Sequence, residues 1–129
     1  MLKAILCISA GASTGATLRW LVGQWLNQHS NIITLGTLAV NVSGGFLAGI
    51  ALGVFRYLPQ ISIEWRLLCI TGFLGAFTTF SAFSTEIVQQ LEQGYYLTAA
   101  ATIGLHVAGS IIATLLGFGC FTLIAQLLR

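Results

Sequence analysis

Four long apolar runs are the feature that most limits how this chain can fold. They cover roughly residues 3–26, 32–55, 63–91 and 95–128, and a helix that crosses a membrane needs about 20 predominantly apolar residues. Only 6% of the residues are charged, whereas about a quarter are charged in a soluble domain. The sequence therefore predicts an all-α integral membrane protein, in which residues 1–129 form a single transmembrane domain of four helices.

The third run contains a stretch, Gly72–Ser84, that is poorly suited to a continuous helix. Gly72 and Gly75 weaken a helix, and Thr78 and Thr79 place two β-branched residues side by side. Irregular backbone at membrane depth persists only where it is buried in protein or lines a cavity. We therefore predict that the third helix is broken near its centre; the alternative is a kinked, close-packed helix without a ligand.

The charged residues are too few and too dispersed to form a nucleic-acid surface, since the net charge is only +2. Four of the five basic residues would lie on the side of the membrane that holds both termini, and the fifth, Arg19, lies within the first run. The positive-inside rule then favours cytoplasmic termini. We expect the lipid bilayer, and no nucleic acid, among the partners.

Glycines recur at the spacing at which membrane helices contact each other. Gly11 and Gly15 form a GxxxG pattern in the first run, and Gly45, Gly49 and Gly53 form a longer one in the second. Such patterns let helix backbones approach closely. We interpret both as packing faces.

The fourth run carries a polar residue at every fourth position. These residues are Thr98, Thr102, His106, Ser110 and Thr114. The spacing places them on one slowly drifting stripe of a helix. Such a stripe either bonds to neighbouring helices or lines an aqueous path. Because ionisable groups in membrane spans are usually functional, His106 makes the second interpretation as strong as the first.

Three further polar residues lie within the apolar runs: Thr37 and Asn41, one turn apart in the second run, and Glu86 in the third. Asn41 either forms a hydrogen bond across helices or presents two N–H donors to an anion. Glu86 either belongs to an ion pathway or lies near the membrane interface, because an unpaired carboxylate inside a membrane is costly.

The available chemistry consists of hydrogen-bond donors and phenyl rings. We find no catalytic constellation, so we do not expect an enzyme. Phenyl edges carry a partial positive charge, and Phe80 and Phe83 share a helix face because they are three residues apart. Such groups can replace the water shell of a small, hard anion while still letting the anion leave, as conduction requires.

Three motifs resemble those of the Fluc (CrcB-type) fluoride ion channels. They are Gly11–Trp20, Gly36–Gly49 with its central Asn41, and Gly72–Ser84, which is the most specific of the three. The resemblance extends over the whole chain in length, span number and motif order. It implies a passive, fluoride-selective channel of the bacterial inner membrane that exports toxic fluoride from the cytoplasm. It also implies an antiparallel, dual-topology homodimer with two pores.

The resemblance further implies a set of site residues. Phe80 and Phe83 would contact fluoride together with Asn41, and the backbone carbonyls of Gly75 and Thr78 would hold a structural Na⁺ at the dimer centre. Sodium also suits a helix break, because helix carbonyl ends are negative and hard cations prefer oxygen. The predicted fluoride pathway comprises Thr37, Asn41, Phe80, Ser81, Phe83, Glu86, His106, Ser110 and Thr114. Many members of the family have a hydroxyl residue where this chain has Ala82.

Two other functions stay open at this point. A small dual-topology, proton-coupled drug exporter needs a membrane carboxylate in its first helix, and the first run has no acidic residue. A scaffold subunit that transports nothing would need packing glycines, but neither a broken helix nor a polar stripe. The negative cell interior drives an anion outward with about 2.3 kcal/mol per 100 mV. Passive export therefore needs neither an ATP-binding motif nor a coupling ion, which agrees with a sequence that offers little besides its membrane spans.

Overall fold

The fold is all-helical, and its helices follow the apolar runs of the sequence. The computed structural model describes residues 1–27 and 34–128. Four helical stretches within these residues are long and apolar enough to cross a membrane: Leu2–Leu26, Leu35–Tyr57, Ile63–Glu92 and Tyr96–Leu127. The prediction of an all-α protein with four spans is therefore confirmed. The predicted start of the second run at residue 32 lies outside the described residues.

We name the elements in chain order. They are α1 (Leu2–Leu26), α2 (Leu35–Tyr57), α3 (residues 63–77), α4 (Phe80–Glu92) and α5 (Tyr96–Leu127). Within α3, Ile63–Arg66 and Gly75–Phe77 are α-helical, whereas Leu67–Leu74 is a π-helix. A π-helix has wider turns than an α-helix and is rare at this length, and π-helical turns are frequent at functional sites.

Thr78 and Thr79 connect α3 to α4 with extended backbone angles. Thr78 has φ −81° and ψ 161°, and Thr79 has φ −152° and ψ 111°. The Oγ1 atom of Thr79 accepts a hydrogen bond of 3.2 Å from the backbone N–H of Ala82, which is the bond that a threonine N-cap makes at the start of a helix. Helix α4 thus begins with its own cap at Thr79.

A tight turn joins α4 to α5. Gly94 has a φ of +81°, a left-handed conformation that glycine adopts without steric cost. The N–H of Gly94 donates to the carbonyl of Leu91 at 3.0 Å, and the N–H of Tyr95 donates to the carbonyl of Gln90 at 2.8 Å. These bonds satisfy carbonyls at the end of α4, so α5 can turn back immediately against α4.

Helices α2 and α5 pack with their backbones nearly in contact. A Cβ atom on Gly49 would collide with the carbonyl of Thr114, and one on Gly117 would collide with the carbonyl of Phe46. Gly53 lies directly beneath the ring of Phe121. The interpretation of the second-run glycines as a packing face is therefore confirmed.

Helix α1 packs against α3 in the same way. A Cβ atom on Gly11 would collide with the carbonyl of Leu68, and one on Gly15 would collide with the carbonyl of Phe73. Both carbonyls belong to the π-helical part of α3. The first GxxxG pattern is therefore a packing face as well.

The interior of the helical bundle is small and rich in polar side chains. The polar residues buried there are Thr37, Thr79, Gln90, Thr102 and His106. Large apolar side chains such as Leu97 and Leu127 are instead exposed. This distribution suits a membrane protein, because lipid solvates the apolar exterior while helix contacts shelter the polar groups.

The glycine contacts predict how the fold responds to a single methyl group. Gly49→Ala and Gly117→Ala place Cβ against a backbone carbonyl that cannot rotate away, so each should lower the free energy of unfolding by about 1–3 kcal/mol. Gly104→Ala and Gly119→Ala are matched controls on α5, because a Cβ there meets no atom of the described residues within 4 Å. Thermal unfolding in detergent measures the difference, and equal melting temperatures in all four variants would contradict the packing argument.

Candidate functional site

The site is built around Asn41, which pairs with the backbone of Thr79. The Oδ1 atom of Asn41 accepts from the N–H of Thr79 at 2.7 Å, and its Nδ2 donates to the carbonyl of Thr79 at 3.0 Å. In a continuous α-helix the N–H of Thr79 would donate to the carbonyl four residues earlier. The side chain of Asn41 therefore supplies the hydrogen bonds that the extended backbone between α3 and α4 cannot make within its own helix.

His106 completes this cluster from α5. Its Nδ1 lies 3.1 Å from Nδ2 of Asn41, and its side chain is only 4% exposed. The imidazole lies against the ring of Phe83, with the ring centroids 4.7 Å apart. The other ring nitrogen, Nε2, is buried and has no hydrogen-bond partner among the residues that the structure describes.

Phe80 and Phe83 contact each other but face different surroundings. Their ring centroids are 5.4 Å apart, with the planes tilted by 58°. Phe83 is 7% exposed and packs inside the helical bundle, whereas Phe80 is 77% exposed. Only one of the two predicted pathway rings is therefore enclosed by its own chain.

Thr37 and Glu86 form a second polar contact between α2 and α4. The hydroxyl of Thr37 donates to Oε1 of Glu86 at 2.5 Å, and Thr37 is buried. The other carboxylate oxygen, Oε2, is buried as well. The structure thus brings these two predicted residues together, one helical turn from Asn41 along α2.

The polar side chains of the stripe on α5 either bond within their own helix or line a cavity. Thr102 donates to the carbonyl of Thr98 at 2.9 Å, and Thr114 donates to the carbonyl of Ser110 at 2.8 Å. Both bonds stay within the helix, as expected for hydroxyls that serve no ligand. Ser110 lines the same cavity as His106, so this pair is the part of the stripe that faces an open space.

Ser81 lies at the start of α4, where it is exposed. Its hydroxyl is 3.3 Å from Oγ1 of Thr79, so it extends the cap of α4 rather than reaching the Asn41 cluster.

Two cavities meet at Thr79. One has a volume of about 480 Å³, and its lining includes Arg19, Thr37 and Thr79. The other has a volume of about 430 Å³, and its lining includes Asn41, Phe80, Phe83, His106 and Ser110 together with Gly75, Thr78 and Thr79. The site therefore has a half that contains a positive charge and a half lined by neutral polar groups and phenyl rings, with Thr79 between them.

Two residues of this arrangement were not among the predicted site residues. Arg19 donates from Nη1 to the carbonyl of Thr78 at 3.3 Å, and Thr79 makes both backbone bonds to Asn41. A charge inside a membrane span is itself a signal of function, and that rule would have selected Arg19. A threonine before a helix suggests an N-cap, but no sequence signal pairs its backbone with Asn41.

Known proteins are similar to this chain in sequence over nearly its whole length. The profile of a family described as CrcB-like protein, Camphor Resistance (CrcB), matches residues 6–118. A protein of Chromohalobacter salexigens, named fluoride-specific ion channel FluC, is 50% identical over 127 residues, which are 98% of this chain and 96% of the relative. A protein of Desulfovibrio desulfuricans with the same name is 50% identical over 129 residues, the whole of both chains.

A third relative, from Tolumonas auensis, carries the same name and is 49% identical over 126 residues, which are 98% of this chain and 99% of that protein. The matched stretches of these three relatives cover 98–100% of this chain. The chain belongs to the CrcB-like family.

Proposed function

We propose that this protein is a passive, fluoride-selective channel that lets fluoride leave the cytoplasm and so relieves fluoride toxicity. The observation that carries the proposal is about 50% identity, over nearly the whole chain, to proteins named fluoride-specific ion channels. The protein is a multi-pass protein of the bacterial inner membrane and is not an enzyme. A drug exporter and a scaffold subunit are not favoured by these relatives.

The two cavities suggest how an anion would pass through the protomer. The guanidinium of Arg19 would attract the anion into the first cavity. The second cavity is lined by phenyl rings and neutral polar groups such as Ser110, which bind an anion more weakly than a full positive charge does. This order suits conduction, since binding must be strong enough for entry and weak enough for release.

We also infer that the third span is functionally broken at Thr78 and Thr79 and that two copies of the chain meet there as an antiparallel homodimer. Phe80 supports this proposal, because this predicted pathway ring is 77% exposed in the single chain. Gly75 is also exposed. A second, inverted copy would cover both residues and complete the pathway beside Phe80.

The same junction suits the proposed structural Na⁺. Because the N–H of Thr79 donates to Asn41, the carbonyl of Gly75 lacks the donor that a continuous α-helix would supply. The carbonyl of Thr78 accepts one bond from Arg19 and keeps a second lone pair. Two copies of Gly75 and Thr78 would offer four backbone oxygens, which are ligands that a hard cation prefers.

Passive conduction predicts the outcome of a liposome experiment. Vesicles that contain only the purified protein and carry an imposed membrane potential should release fluoride rapidly and chloride barely, as measured with ion-selective electrodes. The reason is that a passive channel needs neither ATP nor a coupling ion. Release of chloride at a similar rate, or release of fluoride no faster than from empty liposomes, would refute the proposal.

The same liposome assay tests whether the rings of Phe80 and Phe83 contribute to fluoride release. Phe80→Ile and Phe83→Ile keep apolar bulk but remove the polarised ring edge, so each should slow fluoride release at least tenfold. Phe121→Ile is the matched control, because Phe121 packs on Gly53 and Tyr57 away from both cavities.

The inverted dimer predicts two membrane orientations in one cell. In a cysteine-free background, a single cysteine at Ser62, between α2 and α3, should be labelled in about half of the molecules when a membrane-impermeant maleimide is added to intact cells. The positive-inside bias would instead give one orientation. Labelling near zero or near completion would therefore reject the antiparallel arrangement.

The sodium proposal predicts that the hydroxyl of Thr78 is dispensable. That hydroxyl already donates to the carbonyl of Leu74 at 2.9 Å, and Thr78→Val keeps the backbone carbonyl. Crystals soaked in a thallium salt should show an anomalous peak beside Gly75 and Thr78 in both the parent protein and the variant. A peak that is lost in a folded Thr78→Val variant would show ligation by the hydroxyl, and no peak in either protein would refute the site.

A further inference from the structure

The orientation of the Asn41 amide is set by the backbone of Thr79. A backbone N–H can only donate a hydrogen bond and a backbone carbonyl can only accept one. The atom of Asn41 that lies 2.7 Å from the N–H of Thr79 must therefore be the oxygen, and the atom 3.0 Å from its carbonyl must be the nitrogen. One Nδ2 hydrogen is used by Thr79, and the second is directed at His106.

This orientation determines the tautomer of His106. The Nδ2 atom of Asn41 can only donate, so Nδ1 of His106, at 3.1 Å, must accept. An imidazole that accepts through Nδ1 is neutral and carries its hydrogen on Nε2, because the bond made by one ring nitrogen fixes the state of the other. A hydrogen on Nδ1 would place two donors face to face.

The hydrogen on Nε2 is a buried donor that needs an acceptor. Nε2 has no hydrogen-bond partner in the described part of the chain, although His106 is only 4% exposed. A buried N–H without a partner costs free energy. The imidazole lines the cavity of about 430 Å³ and lies against Phe83, so an anion in this cavity would be a charged acceptor close to the free donor.

We propose that Asn41 is a positioning residue that fixes the tautomer of His106, so that the Nε2–H of His106 donates to fluoride beside Phe83. Both N–H groups of Asn41 are engaged, and Asn41 therefore acts on the ion through His106. Because Nε2 is buried and the Phe83 ring lies against the imidazole, the proposal requires that this ring moves aside for the ion to reach Nε2. The inference rests on the proposed fluoride function but makes a separate statement about the histidine.

The tautomer is measured directly by ¹⁵N NMR, without any transport. The chain has two histidines, and a His29→Gln parent leaves His106 as the sole labelled imidazole. We expect Nδ1 without a hydrogen and Nε2 with one. In Asn41→Asp, a carboxylate oxygen replaces the donor and draws the hydrogen to Nδ1, so the pattern should reverse or both nitrogens should be protonated.

A matched control separates this effect from the added charge. Asn27→Asp makes the same chemical change at a residue whose Oδ1 accepts a hydrogen bond of 2.8 Å from the N–H of Gly36. It should leave the His106 resonances unchanged. A hydrogen on Nδ1 in the parent, or an unchanged pattern in Asn41→Asp, would overturn the inference.

Two experiments test the role of Nε2 toward the ion. Sodium fluoride, but not sodium chloride at equal ionic strength, should shift the Nε2 resonance of the parent. In the liposome assay, His106→Gln places an amide near the position of Nε2 and can still donate there, whereas His106→Asn ends near the position of Nδ1. We expect fluoride release through the glutamine variant to be at least tenfold faster, the effect of one hydrogen bond to a charged group.

The outcomes separate this inference from the fluoride function. Equal release through the two variants, or an Nε2 resonance that fluoride does not move, would overturn the donor role of His106 while leaving fluoride conduction by the parent intact. If the parent protein does not release fluoride, the proposed function is refuted instead. The tautomer experiment would then still test whether Asn41 pairs with His106, but it would say nothing about the ion. If neither His106 variant folds, the resonances of the parent and of Asn41→Asp still decide the inference.

Discussion

The pairing of the Asn41 side chain with the backbone of Thr79 is the interaction on which the rest of the site depends. Two residues of extended backbone between α3 and α4 leave groups that a helix would have paired internally, and an unpaired backbone group buried from water is costly. Asn41 supplies both an acceptor and a donor to Thr79. This pairing fixes where α4 begins and hence where Phe80 and Phe83 lie.

The glycine contacts bring Asn41 to its partners. Asn41 and His106 are 65 residues apart, and the same offset relates Gly45 to Ser110 and Gly49 to Thr114, which are in close backbone contact. Helices α2 and α5 therefore run in the same direction and in one register. Because the backbones nearly touch at these glycines, the side chains one turn earlier on each helix can form a direct hydrogen bond.

The helical bundle shelters polar groups and leaves some predicted site residues on its outer face. Thr37, Thr79 and His106 are buried, whereas Phe80 is mostly exposed. Within a single chain, the second cavity is lined by Phe83 and His106 on the inside and reaches Phe80 at the outside. The two rings of one helix therefore have different surroundings, although they are only three residues apart.

The sequence by itself determined the membrane class, the four spans and the packing faces at Gly11 and Gly49. These properties follow from hydrophobicity and spacing along one helix, which act locally. Only the tertiary structure decided how the polar groups are paired: that both donors of Asn41 are used, that Arg19 reaches Thr78, and that Phe80 faces outward while Phe83 faces inward. Residues three apart differ by about 60° around a helix, so their spacing does not predict which of the two rings is buried. The contacts of α4 with α2 and α5 determine that.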